Sequence, residues 1–386
     1  MKPQSLLPIA LSGLVAAQSG TSLTDALASQ NDTLSELNGL LSAQPALART
    51  LSRLSNITIL APSNDALQAL LNDSSVAEQV AADPSIIAAI LSYHVLNGTY
   101  YASNFTDTPM FIESLLTNTT YSNVTGGQVV EAVAMDDTVS FYSGLRAESN
   151  VTEANLNFTG GVIHIINRVL TIPMNLTDTA IAANLSAAAG ALIQADVVSD
   201  LVATQNITVF APSNAAFAQI GSVVGDLSDD DLGGILAYHV INGTVGYSSM
   251  LENGTLETAG GEDITISIID GDVYVNEAKV IIPDVLISNG VVHVIDGVLN
   301  PDNPSATADP SASTKTPAFS GASTASDGGV PFTSGVPVAT EQATGLGDAA
   351  GGGAVASATS TEGAPQATAA IALGALFGGA ALVMNY

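Results

Sequence analysis

Three segments of this chain occur twice in the same order, and that fact restricts the available folds more than any composition does. Asn56-Ile-Thr-Ile-Leu-Ala-Pro-Ser-Asn-Asp-Ala-Leu returns as Asn206-Ile-Thr-Val-Phe-Ala-Pro-Ser-Asn-Ala-Ala-Phe. Ile90-Leu-Ser-Tyr-His-Val-Leu-Asn-Gly-Thr returns from Ile235, and Gly161-Val-Ile-His-Ile-Ile-Asn-Arg-Val-Leu from Gly290. The separation between copies shrinks from 150 to 145 to 129 residues. Units of this length exceed the roughly 20–50 residues of a stacked repeat, so the pattern predicts two complete domains in tandem. The extra length of the first copy falls between Thr106 and Gly160, among four Asn-X-Thr triplets, and reads as a glycan-bearing surface excursion.

Local periodicity gives each copy a mixed architecture. Ile57 and Ile59 alternate with Thr58 as a strand, Ala61-Pro62-Ser63-Asn64 breaks it, and Asn64 is placed to cap a helix carrying Leu67, Leu70 and Leu71. Asp83-Pro84 precedes the apolar run Ile86, Ile87, Ile90 and Leu91, and its counterpart is Ser228-Asp-Asp-Asp231 ahead of Leu232, Ile235 and Leu236. Strand patterns follow at 128–134, 138–142 and 162–166, and again at 263–269, 272–275 and 291–295. Helices early and a meander of strands late predict an α+β fold with a largely antiparallel sheet.

The strand with its Ala-Pro-Ser-Asn turn, the Tyr-His-Val segment and the closing Val-X-His-Val-Ile-(Asp/Asn) strand together resemble the fasciclin (FAS1) domain. The copies cover 22–173 and 176–301. The resemblance implies two β-wedge domains with packed helices, a role in cell adhesion or cell-wall association, and no shared catalytic activity. Animal members use the Tyr-His segment in adhesion. The matching candidates are Tyr93, His94, Tyr238 and His239, although Asn97-Gly-Thr and Asn242-Gly-Thr place a possible sugar three residues beyond each histidine.

The ends of the chain set an expectation for its compartment. Residues 1–17, with Lys2 ahead of an apolar core and small residues at Val15 and Ala17, have the layout of a secretory signal peptide. Residues 302–366 are Ser, Thr, Pro, Ala and Gly without apolar periodicity and read as a disordered, O-glycosylated stalk. Small residues followed by a polar spacer and the apolar tail 367–386 fit a GPI-attachment signal, with Gly352, Gly353 and Ser357 as candidates for the modified residue. Membrane attachment through that lipid, outside the cell, is the expected location.

Fourteen Asn-X-Ser/Thr sequons support secretion independently: Asn31, Asn56, Asn72, Asn97, Asn104, Asn118, Asn123, Asn150, Asn157, Asn175, Asn184, Asn206, Asn242 and Asn253. Glycans there supply the hydration that a chain with only 11% charged residues lacks.

Several chemistries are excluded. Seven Lys and Arg against 36 Asp and Glu, a formal charge of −29, excludes a phosphate-backbone binder, so no nucleic-acid partner is expected. The absence of cysteine removes disulfides, thiolate metal sites and thiol catalysis. No zinc-protease His-Glu pair, nucleophile elbow or phosphate loop occurs, and no cofactor or metal is expected. His164 and His293 read as hydrogen-bonded core residues, and Asp229 to Asp231 as a helix start. The expected function is a non-enzymatic surface glycoprotein in contact with cell-surface, wall or matrix components. Two alternatives stay open: a wall glycoprotein without a receptor, and a small-ligand carrier or enzyme with an unrecognised pocket.

Overall fold

The computed structural model describes residues 20–72, 80, 83, 85–136, 138–225, 227–308, 310, 318–325, 329–338 and 346. The expected signal peptide, the three attachment candidates and the apolar tail lie outside the described residues. In the first domain, helices α1 (Leu23–Ser29), α2 (Asn31–Ala43) and α3 (Pro45–Leu51) precede strand β1 (Ile57–Pro62), followed by α4 (Asn64–Leu71) and α5 (Ser85–Tyr93). Strands β2 (Val95–Asn97), β3 (Met110–Glu113), β4 (Val129–Met135), β5 (Thr138–Tyr142), β6 (Glu148–Phe158) and β7 (Gly161–Ile166) complete the sheet. The second domain repeats this order with α6 (Leu176–Ala182), α7 (Ser186–Gln194), α8 (Val198–Ala203), β8 (Ile207–Pro212), α9 (Asn214–Gln219), α10 (Gly221–Val224) and α11 (Asp229–Tyr238). Its remaining strands are β9 (Val240–Ile241), β10 (Gly254–Glu257), β11 (Asp263–Ile269), β12 (Asp272–Val275), β13 (Ala278–Ile287) and β14 (Gly290–Ile295).

Each sheet has seven strands in equivalent order, β2-β1-β7-β6-β5-β4-β3 and β9-β8-β14-β13-β12-β11-β10. All neighbours are antiparallel except β1 with β7 and β8 with β14. Those parallel strands are buried on both faces, which is why their sequences run almost continuously apolar. The parallel pairs also explain a repeated glycine. A Cβ on Gly161 would lie 1.8 Å from the Ile57 carbonyl oxygen, and one on Gly290 equally close to that of Ile207. No other residue fits there. A Leu96–Ser114 bridge and a Leu115 N–H donating to Val95 O (2.8 Å) tie β2 toward β3, curling the sheet into a nearly closed wedge with shielded edges.

Ser63, not Asn64, caps α4: its hydroxyl accepts from Ala66 N–H at 3.2 Å. Asn64 instead clamps α4 to α2, accepting from Glu36 N–H (2.9 Å) and donating to Asp32 O (3.0 Å). Ser213 and Asn214 repeat both roles, with Ala187 N–H and Asn184 O as the clamp partners. The expected acidic helix starts are present. Asp83 accepts from Ser85 N–H at 2.9 Å, and Ser228 with Asp231 forms a reciprocal capping box.

The long connection of the first copy is not a free excursion. Residues 114–128 join β3 to β4, where the second domain needs only 258–262 between β10 and β11. This extra loop lies against the second domain: Asn123 N–H donates to Ser288 O (2.7 Å) and Gln128 Nε2 to Ile287 O (3.1 Å). Beside it, Phe111 stacks on Tyr247 with ring centroids 4.2 Å apart, over an apolar patch of Val129, Leu286 and Val291. Met174 in the linker is buried and accepts from Ser288 N–H, so the two domains pack directly.

The segment read as stalk begins with a packed strap. Phe319, Ala322, Val330, Phe332 and Val336 lie against the second domain's core, and Phe332 meets Phe217 edge-on at 5.7 Å. Ser222 N–H donates to Ser323 O, and Ser323 N–H returns to Ser222 Oγ, both at 2.9 Å. Gly190 on α7 makes room for the strap, since a Cβ there would sit 1.7 Å from Phe332 O. The strap's apolar residues follow a groove rather than a helix or strand period, so periodicity does not reveal them.

Candidate functional site

The Tyr-His pairs sit where the helix before each short strand ends. Tyr93 and Tyr238 are the last residues of α5 and α11, and both side chains point into the core with the histidines that follow. Tyr93 donates its hydroxyl to Val129 O at 2.8 Å, tying α5 to β4. Tyr238 donates to Asp263 O (3.0 Å) and accepts from Asn276 Nδ2 (3.0 Å). His94 Nε2 accepts from Leu170 N–H at 2.9 Å, which leaves Nδ1 to carry the proton toward Ile90 O at 2.8 Å. His239 repeats the geometry with Leu299 N–H (2.9 Å) and Ile235 O (2.7 Å). Burial in apolar surroundings pushes both imidazoles down to about 4, so they are neutral at physiological pH.

These bonds fasten the end of the wedge to the helix layer. Tyr93, His94, Tyr238 and His239 are all buried, which supports the local structural role that the neighbouring sequons already favour for them. Sequence reasoning finds the residues through their repetition, but repetition marks structural need as readily as recognition. His164 and His293 are also buried, each with Nε2 2.8 Å from a carbonyl, Tyr100 O and Gly246 O respectively. Among the described residues no group of three His, Cys, Asp or Glu side chains could hold a metal ion.

The sequons lie outside instead. Ten of the fourteen asparagines are exposed, and the other four, Asn123, Asn150, Asn175 and Asn206, are half-buried. None is buried. Asn97 and Asn242 are exposed at the wedge margins, three residues past each buried histidine.

Sequence reasoning missed a polar cluster between the domains. Arg146 Nη1 lies 3.3 Å from Glu131 Oε2 and donates to Pro283 O of the second domain at 2.8 Å. Burial pushes the Glu131 carboxyl up to about 7, while Arg146 opposes that shift. Asp284, buried in a bulge of β13 with φ of 60°, accepts from Ser248 N–H at 2.8 Å. The only sequence signal was a lone arginine in a chain holding seven basic residues.

An apolar cavity lies between the helices and the sheet of the second domain, lined by Leu185, Leu192, Phe217, Leu236 and His239 among others. At about 30 Å³ it has room for roughly one water molecule, far below the ~300 Å³ of a small-molecule site.

Two like-built α+β wedges, fastened internally by Tyr-His pairs and carrying sequons at their surface, define a class of tandem-module proteins. The chain belongs to the fasciclin domain family, whose sequence profile matches residues 32–173 and 183–301. It is 36% identical over 305 residues to a fasciclin-like arabinogalactan protein of Arthroderma benhamiae, covering 79% of this chain and 72% of that one. It is 33% identical over 278 residues to the fasciclin-like arabinogalactan protein elcF of Phaeosphaeria nodorum, covering 72% and 88% respectively. A solved FAS1 domain pair from the insect cell adhesion molecule fasciclin I aligns with 70% of this chain and 98% of its own, at 20% identity and a TM-score of 0.34.

Proposed function

We propose that this protein is a secreted, N-glycosylated surface protein. It presents its fasciclin pair for cell–cell or cell–wall contact without catalysing a reaction, and a GPI lipid holds it on the outer leaflet. The observation that carries the reading is the placement of the sequons. Fourteen acceptors spread over both domains, none of them buried, make a surface that a carbohydrate layer can cover. The relatives' naming as arabinogalactan proteins supports the glycoprotein part. Among the described residues no helix is long and apolar enough to cross a membrane.

Each domain contributes weak contacts, and many copies on one surface act through avidity. The test is deletion of the gene in its own cells, followed by measurement of aggregation and surface attachment. A clear loss of both, restored by the full-length chain, is expected. Unchanged attachment and aggregation in the deletion strain would remove the adhesion reading and leave a hydrating wall component. Release of the protein from intact cells by phosphatidylinositol-specific phospholipase tests the anchor separately.

A further inference from the structure

One face of the first sheet carries a carboxyl into the boundary between the domains. Glu131 on β4 pairs with Phe111 of β3 on one side and with Tyr142 of β5 on the other, and cross-strand partners share a face. Phe111 stacks on Tyr247 of the second domain, over Val129, Leu286 and Val291. Arg146 lies over Tyr142, 5.0 Å from its ring centre, and donates to Pro283 O (2.8 Å) and Asp284 O (3.4 Å) of the second domain. Glu131 sits between these two crossings and is only 2% exposed.

The charged and titratable groups around it come from both domains. Arg146 Nη1 is 3.3 Å from Glu131 Oε2. Asp284 faces the pair from β13, its carboxylate accepting from the backbone N–H and the hydroxyl of Ser248. Behind it His293 accepts from Asp284 N–H at Nδ1 (3.3 Å), so Nε2 carries the proton toward Gly246 O, and burial keeps the ring neutral. Tyr93, Tyr142 and Tyr247 are phenols that burial holds protonated. Glu113 and Glu148 are exposed at the rim. Two buried carboxylates, one from each domain, thus lie about a single guanidinium.

The repeat shows that the fold does not need the second of these charges. Asn155 is the counterpart of Asp284: both have positive φ (65° and 60°), both donate N–H to a core histidine, and both accept a backbone N–H through Oδ1, from Ala102 and Ser248 respectively. A neutral amide does that work in the first copy. In the second copy the same position adds a negative charge facing Glu131.

We propose that Arg146, Glu131 and Asp284 form a pH-gated latch between the domains, closed while Glu131 carries a proton and loosened when it is ionised. With both carboxylates ionised, one guanidinium leaves a buried negative charge unbalanced, whereas in a parted pair Glu131 meets water beside Arg146. Burial holds the Glu131 carboxyl up to about 7 against an ordinary 4.5; Arg146 opposes the shift and Asp284 adds to it. Closure is therefore favoured fully below 4.5, and the preference is lost as pH rises through 7. Linkage between those two values makes opening about 70-fold more frequent at pH 8 than at pH 5. The latch does not depend on the surface reading given above.

The test is amide hydrogen exchange on the full-length chain at pH 5 and pH 8, each rate divided by the intrinsic rate at that pH. The N–H groups of Asn123 and Thr125 are bonded across the boundary, to Ser288 O and Asn206 Oδ1, and report its opening. Those of β7 and β14 report unfolding of a domain. Protection at Asn123 and Thr125 is expected to fall by the linkage factor between pH 5 and pH 8, and to lie below that of β7 and β14 at pH 8. In Glu131→Gln, which keeps the shape without the charge, it is expected to stay at its pH 5 level. In Asp284→Asn, the residue that the first copy already carries at 155, the fall is expected to be smaller. Equal protection at the two pH values would overturn the latch, as would an undiminished fall in both variants. Boundary amides that exchange only as fast as β7 and β14 would show that the pair parts by unfolding, and would also overturn it.

Discussion

At the scale of single residues, the histidines are proton-linked fasteners. His94 and His239 each use one nitrogen as donor and the other as acceptor, a pattern available only to the neutral ring. Their folded values, about 4 against 6.5, lie below the unfolded ones. Below pH 6.5 the unfolded chain therefore takes up protons that the native state refuses, and stability falls until about pH 4. The loss is about 3 kcal/mol per histidine. His164 and His293, also lowered by burial, add to it in the same direction. Glu131 acts oppositely. Its raised value, about 7, contributes stability that is full below 4.5 and lost as pH rises through 7, so it offsets part of the acid loss. Thermal unfolding is expected at clearly lower temperature at pH 4.5 than at pH 7.5, with a smaller difference in the double variant His94→Gln, His239→Gln. Equal midpoints for the native chain at the two pH values would contradict this account.

At the scale of elements, the strands and the acidic helix starts were legible because their causes are local. Alternation, a break at Ala-Pro-Ser and a carboxylate at the helix start need no tertiary knowledge. The Tyr-His pairs were legible as important but not as buried, since a polar residue after an apolar helix looks alike in a core and on a surface. The contact between domains was not legible. It joins residues as distant as Gln128 and Ile287 through backbone carbonyls, which any sequence possesses. Arg146 is its most exacting element, because it neutralises buried Glu131 while holding β13 through Pro283 O. Arg146→Ala is expected to cost roughly 1 kcal/mol more at pH 8 than at pH 5, because without the arginine buried Glu131 must take up a proton to stay inside. The cost should be smaller at pH 5, where Glu131 already carries its proton. Denaturant unfolding of the variant at the two pH values measures this, and an equal cost at both would remove Glu131 from the explanation.

At the scale of the whole molecule, the second domain extends beyond the boundary that the repeat defines. The family match ends at residue 301, yet Phe332 and its neighbours still pack on that domain's core. Composition conceals this because five apolar side chains among serines, threonines and glycines barely alter an average. Phe332→Ala is expected to cost about 1–2 kcal/mol, given its partial burial, and to lower the midpoint of the second domain by a few degrees. Gly190→Ala, by driving a methyl group into Phe332 O, is expected to free the strap and raise amide exchange across 318–338. Unaltered protection in that variant would show that the strap is not held at α7.

Tension applied from the C-terminal side meets this strap before it meets either sheet. Its contacts include small apolar patches and ordinary hydrogen bonds at Ser323 and Ala318, which a pull breaks one after another, whereas the sheets must shear many bonds together. Freeing the strap residues 318–325 and 329–338 releases roughly 60 Å of chain at full extension. The wedges keep their own cores while the strap yields, so a pull from that side is expected to show a low-force event before either domain unfolds.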